Sequence, residues 1–148
     1  MKKIIFKAAL KARVFKLSGE VADLGIVCTR LITTAGVNFL CDAFQGLATI
    51  SDMKYHGSGT GTTAEAIGDT TLVTEVESRA TGSQAEGAGA NIYKTVGTIA
   101  YTASRAITEH GLFSSAGSLW DRSVFTAINV VNGESIEFTH ETTFTAGG

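Results

Sequence analysis

Proline is absent from the 148-residue chain, so its turns fall to seventeen glycines, which reach tight-turn conformations without steric cost. Cysteine is scarce. Cys28 and Cys41 make no disulfide framework and no Cys/His spacing resembles a zinc site, so they read as buried thiols, with one optional bond between them. Long apolar runs are missing too: Lys7, Lys11, Arg13 and Lys16 break each run near the start before it could serve as a signal-peptide core. No stretch approaches the length that spans a bilayer, so the expectation is a soluble protein made in the cytoplasm, without a membrane partner. Methionine is limited to two residues against eight phenylalanines and many threonines, a bias toward strands. A chain this long supports one domain, burying roughly 70% of its unfolded surface.

Charge is unevenly placed. The first sixteen residues hold Lys2, Lys3, Lys7, Lys11, Arg13 and Lys16 and no acid, while all fourteen acids lie beyond them. Within this start, Ile4, Phe6, Ala8, Leu10, Ala12 and Val14 alternate with Lys3, Lys7, Lys11 and Arg13, which a strand sorts onto two faces and a helix would scatter. The reading is a basic arm or strand over residues 1–20. Its Lys3, Ile4, Phe6, Lys7, Leu10, Lys11 and Arg13 would meet a protein partner, by joining the edge of a neighbour's sheet. Interleaved apolar residues that favour burial make a protein surface a better partner than nucleic acid.

Further on, residues 21–33 read as a second strand. Thr33 or Thr34 can cap a short helix in which Val37, Leu40, Cys41, Phe44 and Leu47 recur at helical spacing and which closes one end of the fold. Strands are expected near 72–80 and over 91–103, with Gly97 a bend or close-packing point and 82–89 a flexible hairpin tip. Asn132-Gly133 signals a turn before the clearest strand, where Ile136, Phe138, His140, Thr142 and Phe144 alternate with Glu137, Thr139, Glu141, Thr143 and Thr145. The fold class is mainly β: an antiparallel β-sandwich or jelly roll over residues 21–148, with one short helix and an extended N-terminal arm or strand.

The glycines raise a chemical question. Gly59-Thr60-Gly61-Thr62-Thr63-Ala64 matches the dinucleotide pattern G-x-G-x-x-[G/A], but Gly68-Asp69 follows too soon for the helix that would face a pyrophosphate. Walker A and the G-x-S-x-G elbow are both missing. No cofactor is expected. His56, His110 and His140 are scattered, and Glu109 and His110, adjacent on a strand, point to opposite faces, so Glu109 is read as an acceptor for backbone or hydroxyl groups. His140 falls on an apolar face and reads as a core or interface histidine. Asp69, Glu75, Glu77 and Glu86 lack calcium-loop spacing, so no metal is expected. No catalytic constellation emerges, and the protein is read as a non-enzyme.

The order TTAGVNFLCDAFQG, YHGSGTGTTAEAIGDTTLVTEV, ITEHGLF, LWDRSVF and GESIEFTHETTFTAGG resembles small β-sandwich structural proteins of tailed bacteriophages, over roughly residues 31–148. In that family a G-x-G-x-T/S-A-x-x-x-x-D-x-x-L loop precedes E-x-G-L-F. The matching residues are Gly59, Gly61, Asp69, Leu72, Glu109, Gly111, Leu112 and Phe113, read as shaping the fold. The resemblance implies a virion protein that decorates and cements the capsid, with the major capsid protein and neighbouring copies of itself as partners, a homo-oligomer on the capsid surface. A tail or tail-fibre component is the alternative. It could be a receptor- or carbohydrate-binding module using Tyr55, Tyr93, Tyr101 or Trp120.

Overall fold

The computed structural model describes residues 5–147. Its strands are β1 (Ile5–Phe15), β2 (Val21–Ile32), β3 (Tyr55–Gly59), β4 (Glu75–Thr81), β5 (Ser83–Glu86), β6 (Ile92–Ala100), β7 (Arg105–Phe113), β8 (Leu119–Val130) and β9 (Ser135–Thr145). A helix, α1 (Thr34–Phe44), and a 3-10 turn at Ile50–Asp52 lie between β2 and β3. All pairings are antiparallel, in the order β4-β3-β7-β8-β2-β1-β9-β6-β5. Two sheets pack face to face as a β-sandwich. They share hydrogen bonds at one corner, where Leu31 and Ile32 at the end of β2 pair with Arg122 and Asp121 of β8.

The basic start is an interior strand and not an extended arm. β1 pairs with β9 along its whole length, from Ile5 opposite Thr145 to Phe15 opposite Ser135, and with β2 on its other side from Ala8 to Phe15. Its alternation turns Leu10, Ala12 and Val14 into the main core with Ile99, Ile107, Phe125 and Phe138. Leu10 is fully buried and unavailable to a partner, and Phe6 packs edge-on against Trp120 and Phe144. The opposite face carries the bases onto the acids of β9: Lys11 reaches Glu141 and Arg13 reaches Glu137, each at 3.3 Å, while Lys7 is exposed. The charge asymmetry is thus partly matched inside one sheet. Lys3 and Ile4 lie outside the described residues.

The helix forms where expected but turns a different face inward. Thr33 caps it, its hydroxyl accepting from the Gly36 N–H at 3.0 Å and donating to the Leu119 carbonyl at 2.6 Å. This cap fastens α1 to β8, and a Cβ on Gly36 would stand 2.8 Å from Trp120 Cα. Gly36 and Phe39 therefore face the sheet, whereas Val37, Cys41 and Phe44 face outward. Beneath α1, Phe39, Met53, Leu112 and Trp120 form a second core.

One glycine expectation changes: residues 83–86 are the edge strand β5 and not part of a flexible tip, while Tyr55–Gly59, ahead of the glycine-rich loop, is a largely buried strand. Gly97 is a point of close packing: a Cβ there would lie 2.5 Å from the His56 ring across the sandwich. Cys28 and Cys41 form no disulfide: Cys28 is half-buried with its thiol 3.5 Å from the Val124 carbonyl, and Cys41 is exposed on α1.

Candidate functional site

The glycine-rich segment after β3 folds over the outer face of β7 and β8, where Glu109 gathers it. Its carboxylate accepts the N–H groups of Gly61 (3.0 Å), Val73 (3.1 Å) and Thr74 (2.7 Å), and the Arg122 Nε–H at 2.9 Å. Arg122 continues the network, donating to Asp69 at 2.9 Å and to the Thr63 carbonyl at 2.8 Å. Burial alone would raise the Glu109 pKa, but these backbone donors and the guanidinium outweigh it and hold the carboxyl below its usual range. Burial alone would likewise lower the Arg122 pKa, but Asp69 and Glu109 hold it raised.

Beside this lock, Leu72, Phe113 and Leu119 form a third, small core. The structure therefore places Gly59, Gly61, Asp69, Leu72, Glu109, Gly111 and Phe113 in one neighbourhood, while Leu112 points the other way into the core under α1. Gly61 has a specific reason to be glycine, because a Cβ would stand 2.5 Å from Glu109 Oε1. Arg122 was not singled out from the sequence. The lone arginine in LWDRSVF carries no local signal that it pairs with Glu109 on the next strand.

The histidines meet inside the sandwich. His56 Nδ1 lies 3.0 Å from His110 Nε2, and His56 Nε2 lies 3.3 Å from the Thr95 hydroxyl. Farther along, His140 Nδ1 sits 3.1 Å from Asp121 Oδ2, and His140 Nε2 sits 2.7 Å from the Thr142 hydroxyl, which accepts the Trp120 indole N–H at 3.0 Å. Asp121, His140 and Thr142 thus stand in the order of an acid–base relay, assembled from β8 and β9. All three are fully buried, and the Thr142 oxygen is engaged by Trp120, so this geometry joins the two sheets.

The four rings considered for a sugar do not share one platform. Tyr101 is buried and bonds Ser58 at 2.9 Å, whereas Trp120 and Tyr93 line one pocket, the Tyr93 hydroxyl donating to the Met53 carbonyl. Glu75 is held by Arg79 at 2.6 Å, and Glu77 accepts from Thr102 at 3.1 Å. Among the described residues, no three His, Cys, Asp or Glu side chains converge on a metal position.

What lies open is apolar. Along α1 and the turn after it, Val37, Phe44, Leu47 and Ile50 are exposed, Phe44 at 81% and Leu47 at 73%. Next to them opens a pocket of about 200 Å³ lined by Phe39, Leu40, Ile50, Met53, Trp120 and Phe144, with Tyr93 at its side. Exposed apolar side chains near a ring-lined pocket are the chemistry of docking by burial. No protein-family model, curated protein or solved structure matches this chain.

Proposed function

We propose that this chain is a bacteriophage virion structural protein, a capsid decoration protein that stabilises the mature shell by binding across capsid-protein subunits. The observation that carries the reading is the exposed apolar face of Val37, Phe44, Leu47 and Ile50 beside its pocket, on a sandwich whose buried polar clusters are engaged in holding strands and loop together. The ordered motifs from TTAGVNF to the terminal alternating strand supply the phage context.

The physics is linkage. A protein that binds the expanded shell but not the immature one stabilises the former by its binding free energy, about 2.7 kcal/mol per site at roughly a hundred times Kd. Repetition over many sites lets a modest term resist internal pressure without a chemical step. The contact moves from the proposed arm to the α1 face, because β1 is the sheet's interior and cannot also pair with a neighbour.

The test mixes purified protein with expanded and unexpanded shells and measures co-sedimentation and the shells' thermal midpoint. Saturable binding to expanded shells, lost in a Phe44→Asp/Leu47→Asp variant that keeps its own melting temperature, is expected. Absence of binding by the wild-type protein to expanded shells would refute the proposal.

A further inference from the structure

All three histidines of the chain stand between the two sheets, each fully buried. They sit at the joints of the sandwich. The His56 ring on β3 fills space left by two glycines: a Cβ on Gly97 of β6 would lie 2.5 Å from its Cδ2, and one on Gly82, which links β4 to β5, 2.8 Å from its Nε2. His110 on β7 meets the Phe138 ring of β9 with centroids 4.6 Å apart, and His140 carries β9 onto Asp121 of β8. Imidazole changes charge near neutral pH, so a proton taken up here acts on the contacts that close the sandwich.

Such a layer holds few protons. His56 Nδ1 and His110 Nε2, 3.0 Å apart, share one hydrogen, and a second would set N–H against N–H. Among the described residues, Asp121 is the one carboxylate turned into the layer, and it can balance a single imidazolium. Glu109 and Arg122 lie on the outer faces of β7 and β8, and Glu134 caps the turn before β9. Lys94 and Glu141, opposite each other on β6 and β9, face away from Thr95 and His140, and Lys54 reaches Gly82 with its carbonyl. β1 and β4 set Leu10 opposite His140 and Ala80 opposite His56. Burial holds the Tyr93 and Tyr101 hydroxyls above their ordinary pKa, so both stay neutral in acid. We propose that the buried histidines form a proton-operated clasp: with two of the three imidazoles neutral the sheets stay joined, and acid parts them. The unfolded chain protonates all three as pH falls through about 6.5, whereas the folded layer balances one. Stability is therefore present in full above that value and is lost as pH falls below it. The Glu109 carboxyl, held below its usual range, titrates outside this window.

Urea unfolding of the wild-type protein between about pH 7 and about pH 5.5, with the imidazole resonances of the folded protein followed by NMR over the same range, tests the clasp. The folding constant should fall roughly 70-fold, its slope approaching about two protons taken up on unfolding. While the fold is intact, no more than one imidazole should titrate. His110→Gln should lower the slope by about one proton, whatever it does to the midpoint at neutral pH. If that variant does not fold, the two wild-type measurements decide. A fall of less than about twenty-fold overturns the proposal, because one histidine alone accounts for roughly eight-fold. Two or three imidazoles titrating in the folded protein overturn it as well, as does a folded His110→Gln variant that keeps the wild-type slope.

Discussion

Arg122 on β8 donates its Nε–H to Glu109 on β7 at 2.9 Å, with both side chains out of contact with solvent. Through this pair the loop between β3 and β4 is bound to the sheet, because the same carboxylate takes three of the loop's backbone N–H groups. Removing one partner strands a buried charge, so Arg122→Ala should cost about 3–5 kcal/mol in denaturant unfolding. The effect should centre on the loop. Limited proteolysis within residues 60–73 should accelerate before global unfolding does.

The same carboxyl predicts an acid limit. Its pKa is depressed in the folded state, so its stabilisation is fully present above the unfolded value of about 4.3 and is lost as pH falls through the folded value. Thermal midpoints should therefore drop on acidification below about pH 5. Glu109→Gln should flatten that dependence without abolishing it, because Glu134 is also held low, chiefly by the Val131 N–H. An unchanged slope in the variant would show that Glu109 does not couple to folding.

Gly61 and Gly68 provide a matched comparison in one loop. An added methyl at Gly61 would meet Glu109 Oε1 at 2.5 Å and Cδ at 2.8 Å, while nothing lies within 4 Å of one at Gly68. Gly61→Ala should destabilise by about 1–3 kcal/mol through forced displacement of the lock. Gly68→Ala should stay within about 0.5 kcal/mol of wild type. Urea midpoints of the two variants decide the matter.

β1 should behave as core. Leu10→Ala should cost about 2–5 kcal/mol, whereas Lys7→Ala on the exposed side should change stability by less than about 0.5 kcal/mol. Deleting residues 1–16 should abolish cooperative unfolding, because the strand it removes joins β2 to β9. A truncated chain that melts like the full one would contradict this placement.

Much of the architecture was legible locally. Alternation in β1 and β9 marked strands and assigned their inward residues, the Asn132-Gly133 turn joins β8 to β9, and a threonine ahead of AGVNF capped a helix. Period and capping depend on residues a few positions apart, so a linear reading captures them. The opposite faces of Glu109 and His110 were legible for the same reason.

Tertiary structure alone decided what each face meets. Val37, Cys41 and Phe44 recur at a period suited to burial, yet the cap on Thr33 and the contact of Gly36 with Trp120 orient α1 so that Phe39 goes inward and Phe44 outward. The bases of β1 imply an acidic neighbour, and only the register with β9 makes Glu137 and Glu141, more than a hundred residues away, that neighbour. Likewise Arg122 finds Glu109, and Asp121 finds His140, because antiparallel pairing and sandwich closure bring distant positions together. Composition and period specify which side of a strand is apolar or charged. They carry no information on which strand lies beside it, since that choice is set by the packing of the whole chain.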